Sequence, residues 1–171
     1  EATQLPGGAT AEVYNNLGLM YHRAGDYAAA ELEFRKALAR WPAMLAAQVN
    51  LANSLKGQQR YEDARLALET ARATDGQSAN VFYNMGILYL DGQFPNMEAL
   101  PRLESALVFF EQYKGLRGEP NQADPVDDYI TEAKKRIVVE QKRAEQMSRR
   151  PKAPEPVEEP EEEAPAEPAP D

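Results

Sequence analysis

The chain has 171 residues, with 28 acidic against 19 basic side chains, one histidine and no cysteine. These counts exclude disulfides, thiolate catalysis and metal sites built from cysteine or from several histidines. There is also no phosphate-binding glycine loop, so we expect a protein with no catalytic residues, metal or cofactor. The sequence has no apolar signal segment at the start as given and no apolar stretch near the ~20 residues that span a bilayer.

Residues 1–10, EATQLPGGAT, are predicted to form a flexible N-terminal segment. Beyond them, Asn16, Asn50 and Asn84 stand thirty-four residues apart in matching frames, YNNLGLMY, QVNLANSL and YNMGILY. Thirty-four residues is the length of a helix-turn-helix solenoid unit. The period therefore predicts an all-α solenoid of three helical hairpins.

The first unit, residues 11–44, has small residues where its two helices must approach closely. Gly18 and Ala30 leave room for Leu17, Tyr21 and Phe34 to interdigitate. The patterned residues of this unit are Tyr14, Leu17, Gly18, Tyr21, Ala30, Phe34, Ala37 and Pro42. This pattern resembles the tetratricopeptide repeat family at every signature position, and the resemblance implies a right-handed solenoid of helical hairpins.

The second unit, residues 45–78, repeats the pattern with one departure, Gly76 in place of the family's usual proline. Its matching residues are Gln48, Leu51, Ala52, Leu55, Ala64, Leu68 and Ala71. At the junction between the first two units, Trp41 is predicted to shield the turn rather than to stand exposed as a contact.

The third unit, residues 79–118, has a longer turn, DGQFPNMEALP, between its helices. Because proline is tolerated only in the first helical turn, the second helix is predicted to begin late, near Glu98 to Pro101. It should run to about Lys114, with Gly115 and Gly118 ending it.

A capping helix is predicted over residues 124–148, with Asp124 as N-cap and Pro125 in the first turn. Val126, Tyr129, Ile130, Ala133 and Ile137 form an apolar stripe that can cover the open face of the third unit. Beyond Val139 the stripe fades, so the helix is expected to project past the body and fray.

The tail, residues 151–171, contains seven prolines, seven glutamates and one aspartate, which predicts a disordered segment. It holds a net charge of −7 of the chain's −9, so the folded body is close to neutral. The final helix is basic in places, but a tethered acidic tail would compete with phosphates for that surface. We therefore expect no nucleic-acid partner, and prefer a tail that folds back or a solvated charged helix.

A solenoid of this kind offers a concave groove lined by the first helix of each hairpin, which suits an extended peptide or a helix of a protein partner. The residues predicted to face it and to bind that partner are Asn15, Asn16, His22, Asn50, Asn53, Lys56, Asn80, Tyr83, Asn84 and Ile87. Asparagine carries both a donor and an acceptor, so Asn16, Asn50 and Asn84 can bind a peptide backbone as an asparagine ladder. The alternative is that these amides only bond between neighbouring helices.

Two further features concern the kind of partner. Some family members clamp a chaperone's C-terminal carboxylate, but only Asn50 matches those clamp positions here, which makes an acidic chaperone tail a poor fit. Tyr83 and Ile87 predict an apolar pocket in the third unit, unless Tyr83 packs against its neighbour.

Residues 79–138 resemble the last repeat and closing helix of repeat lipoproteins of the myxobacterial adventurous gliding motility machinery. The resemblance is carried by the LYLDGQFP turn and the FFEQYKGL helix. It implies a scaffold subunit of the bacterial cell envelope, outer-membrane associated or periplasmic, with a lipid anchor ahead of Glu1; the cytoplasm is the alternative location. The alternative function is a structural subunit that contacts partners through its convex face or its tail.

Overall fold

The computed structural model describes residues 9–118 and 124–149, and these residues form seven α-helices and no strand. The helices are α1 (Ala11–Arg23), α2 (Tyr27–Arg40), α3 (Leu45–Gly57), α4 (Tyr61–Thr74), α5 (Ala79–Asp91), α6 (Ala99–Arg117) and α7 (Val126–Ser148). Most of the predicted flexible N-terminal segment and the whole of the tail lie outside the described residues.

The helices pack as successive antiparallel pairs, α1 with α2, α3 with α4, and α5 with α6. Each pair contacts the next, and α7 packs on α5 and α6. The predicted all-α solenoid of helical hairpins is therefore confirmed.

Close contact between paired helices depends on glycine in the first and third hairpins. A Cβ atom on Gly18 would lie 2.6 Å from Cε1 of Phe34, and one on Gly86 would lie 2.5 Å from Cδ1 of Phe110. Both rings are completely buried. The second hairpin has Ala52 and Leu68 at the equivalent positions. Alanine is larger than the glycine of the other two hairpins, and leucine is correspondingly smaller than their phenylalanine.

The junction between the first two hairpins is filled differently from the prediction. Trp41 is 49% exposed, so its predicted role in shielding the turn is wrong. A cluster of small and flexible residues fills the junction instead, formed by Ala11, Ala37, Met44 and Ala47. Tyr21, predicted to interdigitate between the two helices, is 38% exposed.

The second helix of the third hairpin begins as predicted and ends later. Pro101 lies in the first turn of α6, as the steric argument requires. The helix continues through Gly115 to Arg117, so the prediction that Gly115 ends it is wrong. Gly118 ends it in the left-handed region with φ 77°, where only glycine is unstrained.

The start of α7 is fixed by Asp124, which is buried. Its Oδ1 accepts the Val126 N–H at 3.1 Å. The N-cap position itself is occupied by Pro125, so the predictions that Asp124 is the N-cap and that Pro125 lies in the first turn are each wrong by one position. The Oδ2 of Asp124 accepts from the Tyr113 hydroxyl at 3.0 Å and from Arg117 at 2.6 Å. The same carboxylate therefore joins the end of α6 to the start of α7.

Candidate protein-binding groove

The first helices of the hairpins form one layer of the solenoid. α1 contacts α3, α3 contacts α5, and α5 contacts α7. The layer formed by α1, α3 and α5 lines the inner face of a helical-hairpin solenoid, and we call it the groove face. The predicted partner-binding residues all lie on α1, α3 and α5.

Asn15 and Asn50 are hydrogen-bonded to each other across α1 and α3. Nδ2 of Asn50 donates to Oδ1 of Asn15 at 3.0 Å, and Asn15 is only 6% exposed. The prediction that Asn15 is presented to a partner is therefore wrong, because its side chain is buried in the contact between the two helices. Asn50 is half-buried and keeps its carbonyl oxygen and one N–H for another partner.

Asn84 uses its amide differently. Nδ2 donates to the backbone oxygen of Asn80 at 2.7 Å and to its Oδ1 at 2.9 Å, so both N–H groups are engaged within α5. Asn16 and Asn80 are exposed. Among the described residues, no hydrogen bond joins Asn16, Asn50 and Asn84 to one another. The three repeated asparagines thus have three different environments.

Tyr83 lies in an aromatic cluster at the closed end of the solenoid. Its ring centroid is 5.3 Å from that of Tyr113, 6.5 Å from that of Phe110 and 6.1 Å from that of Tyr129 on α7. Burial raises the pKa of Tyr83 to about 12. The alternative, packing against a neighbour, describes Tyr83. Its side chain stays partly exposed, so the apolar pocket with Ile87 stays a prediction. Ile87 is half-buried and packs on the main core.

The remaining predicted residues lie toward the C-terminal ends of α1 and α3. The His22 ring makes an edge contact with Tyr27, with centroids 5.2 Å apart. Lys56 lies 3.8 Å from a carboxylate oxygen of Asp91, which pairs α3 with α5. Asn53 is half-buried. The groove face therefore offers amides and one paired lysine rather than a cluster of cations.

Two arginines that the sequence analysis did not single out cap the end of α5. Arg102 donates to the backbone oxygens of Tyr89 and Leu90, and Arg136 donates to that of Leu90 at 3.2 Å. They satisfy carbonyls that a helix C-terminus leaves without partners. Burial, followed by the like charge of Arg136, lowers the pKa of the Arg102 guanidinium. Arg102 belongs to α6 and reaches back across its own hairpin, whereas Arg136 comes from α7 and lies 46 residues from Leu90, so no local pattern signals its contact.

Other surfaces have cavities of moderate size. One of about 290 Å³ lies between α2 and α4 over Leu51 and Leu55. Another of about 290 Å³ lies between α6 and α7, beside Arg102 and Lys135. Within the described residues, no group of three or more histidine or acidic side chains is placed to hold a metal ion, and none of the helices has the length and hydropathy to span a membrane.

Sequence comparison supports the repeat family. Residues 21–83 match the family model described as tetratricopeptide repeat. This range extends from the end of α1 through the second hairpin into α5. No curated protein matches the sequence.

Solved structures of tetratricopeptide repeat domains are similar in fold. The first such domain of Spaghetti (RPAP3), bound to the HSP90 peptide SRMEEVD, is 19% identical, with a TM-score of 0.64 over 75% of this chain and 96% of that one. The first domain of human RPAP3 is 20% identical, with a TM-score of 0.59 over 82% and 98%. The Sgt2 domain from Aspergillus fumigatus is 16% identical, with a TM-score of 0.66 over 87% and 89%.

Proposed function

We propose that this chain is a non-catalytic scaffold that binds a segment of a protein partner on its groove face. The observation that carries the proposal is the layer of first helices α1, α3 and α5, which exposes or half-exposes polar amides from each hairpin. One structure of similar fold holds an HSP90 peptide. Amides that face a groove suit recognition of backbone N–H and C=O groups.

The chemistry of the groove face argues for a segment that is not strongly acidic. Asn50, Asn80 and Asn84 are uncharged, and Lys56 is already opposite Asp91. A buried carboxylate without a cation is costly, so a C-terminal carboxylate finds little compensation here. We expect the partner segment to bind through its backbone and through apolar or neutral side chains.

The test compares two triple alanine variants of the full chain. One replaces Asn16, Asn50 and Asn84; the matched control replaces Leu32, Leu66 and Val108 on the opposite face. Partners are captured from envelope and cytosolic fractions of the native organism, and the bound segment is then synthesised for titration. Weaker binding in the asparagine variant alone supports groove binding, provided that circular dichroism shows an intact fold.

We further propose that the assembly belongs to a bacterial cell envelope, such as a gliding motility machinery. The support is the resemblance of residues 79–138. In the structure the distinctive turn packs on the body, since Phe94 is buried with its ring centroid 5.4 Å from that of Tyr89. Fractionation of the native organism with an antibody tests the location. Recovery with outer membrane or periplasm supports the proposal, and recovery only from the cytosol would refute it.

A second candidate function is structural assembly through the convex face, and one observation favours it. One exposed aliphatic residue recurs at the same position of each hairpin, two residues before the buried side chain of the second helix. These residues are Leu32, Leu66 and Val108, which are 55%, 52% and 54% exposed. Three aliphatic side chains thus recur on the outer helices without cover from the described residues. If assembly is lost in the control variant above while the asparagine variant retains it, this second function replaces the first.

A further inference from the structure

α7 carries a mixed basic and apolar stripe that turns away from the core along its second half. We define the α7 stripe as Lys135, Arg136, Val139, Arg143 and Met147. Lys135 and Arg136 precede Val139 by four and three residues, and Arg143 and Met147 follow at intervals of four, so all five lie on one side of the helix. Val139 is 61% exposed and Met147 is 64% exposed. An aliphatic and charged surface of this kind can hold a partner with both features.

The upper end of the α7 stripe borders the cavity between α6 and α7. Lys135, Arg136 and Val139 line it together with Arg102. The two acids on this side of the helix are already paired, Glu132 with Arg136 at 2.7 Å and Glu140 with Arg143 at 3.9 Å. Lys135 makes no ion pair with the part of the chain that the structure describes. Residues 132–149, the part of α7 that follows its two acidic first-turn residues together with Arg149 after its end, carry six basic and three acidic side chains, so this stretch is positive.

The tail follows α7 directly and has the complementary chemistry. Five of the six residues 158–163 are glutamates, and the tail's only large apolar side chain, Val157, precedes them. Its seven prolines favour an extended backbone, so the tail loses less conformational entropy when it binds.

The reach of the tail matches the position of the cations. From the end of α7 back to Lys135 is ~20 Å at 1.5 Å per helical residue. If residues 150–153 reverse the chain, an extended backbone at ~3.1 Å per residue covers that distance in about six or seven residues. Residues 158–163 then lie beside Lys135 and Arg136, and Val157 falls in the span between Met147 and Val139.

We propose that residues 154–163 of the tail dock on the α7 stripe of the same chain, with their glutamates beside Lys135 and Arg136 and Val157 between Val139 and Met147. The docked segment lies against α6 and α7, so it leaves the groove face open. Because the attraction is between exposed charges, it weakens as salt shortens the screening length.

The test uses the cysteine-free full chain, in which a nitroxide on Ala164→Cys gives a single label. We expect this label to reduce the amide NMR signals of residues 132–139 at about 0.05 M salt, and to release them at about 1 M, where screening acts within about 3 Å. Signals of the last turn of α7 report chain connection alone and serve as the internal reference.

Charge reversal gives the matched comparison. Lys135→Glu lies on the stripe and should abolish the broadening, whereas Lys134→Glu makes the same charge change on the opposite side of the helix and should preserve it. Broadening of all exposed helices alike, or equal effects of the two variants, overturns the proposal. A mixture of labelled chains with isotope-enriched unlabelled chains separates the sources, since broadening there shows docking between two copies and also overturns it.

Discussion

The contact between Gly86 and Phe110 gives the sharpest test of the packing. A Cβ on Gly86 would lie 2.5 Å from Cδ1 of Phe110, and the ring is completely buried with other core residues around it. Since the ring cannot swing into solvent, Gly86→Ala must separate α5 from α6 or force the ring from its rotamer.

The expected size follows from two opposing effects. Overpacking a filled core costs about 1–3 kcal/mol. Replacing glycine by alanine inside a helix contributes about 1 kcal/mol in the other direction. We therefore expect Gly86→Ala to lower the free energy of unfolding by up to about 2 kcal/mol.

The second hairpin supplies the compensating change, because it has alanine and leucine at these two positions. The double variant Gly86→Ala with Phe110→Leu reproduces Ala52 and Leu68 in the third hairpin. We expect its loss to be smaller than the sum of the two single losses by about 1 kcal/mol or more. Urea unfolding followed by circular dichroism measures all four members of the cycle.

Additivity within about 0.3 kcal/mol would refute the reasoning, because it would show that Gly86 and Phe110 are not coupled by contact. A Gly86→Ala variant as stable, relative to the parent, as the Gly115→Ala variant would refute the overpacking itself. Gly115→Ala is the matched control, since a Cβ there meets nothing within 4 Å and only the helix propensity changes.

Two further predictions concern Asp124 at the start of α7 and the two arginines that cap the end of α5. Asp124→Asn removes the charge that accepts from Arg117 and should lower the free energy of unfolding by about 1–2 kcal/mol at neutral pH. The Val126 N–H, followed by Tyr113 and Arg117, lowers the pKa of Asp124, so this contribution is complete above the unfolded value of about 3.9 and is lost as pH falls through the lower folded value. The difference between parent and variant in urea unfolding should shrink below about pH 4, and a constant difference would contradict this origin. Arg102→Met removes the donors to the Tyr89 and Leu90 carbonyls and should cost about 1–3 kcal/mol. Arg136→Met should cost less, because it removes one carbonyl bond of 3.2 Å and an exposed ion pair of 2.7 Å with Glu132. Equal thermal shifts for these two variants would contradict the ranking.

Features that depend on local repetition could be predicted from the sequence. The thirty-four-residue period set the helix order, and Pro101 set the late start of α6 because its steric requirement is local. The pairing of Gly18 with Phe34 follows from the same pattern. Pro101 and the pairing of Gly18 with Phe34 act within one hairpin, and the period requires only that this local pattern is repeated along the chain.

Features that depend on distant partners could not be predicted. Asn15 and Asn16 are adjacent and identical, yet only Asn15 is buried, because α3 places Asn50 against it. Tyr83 lies against Tyr129, which comes from a helix added after the repeats. Gly115 stays helical, and Arg117 in the last turn of α6 pairs with Asp124 just before α7. In every case the deciding contact crosses between elements.

These differences rank the asparagines that the sequence treats as equivalent. The Asn16 side chain makes no hydrogen bond with the described residues, Asn50 has one N–H engaged, and Asn84 has both engaged. A peptide carbonyl that accepts from Nδ2 of Asn84 must compete with Asn80, whereas one that accepts from Asn16 displaces only water. The Oδ1 of Asn84 makes no hydrogen bond with the described residues and can still accept from a peptide N–H. Single alanine substitutions should therefore reduce the affinity for the partner segment most at Asn16 or Asn50 and least at Asn84. An equal loss at all three positions, measured by titration with the same segment, would show instead that the amides rearrange into the regular ladder when the segment binds.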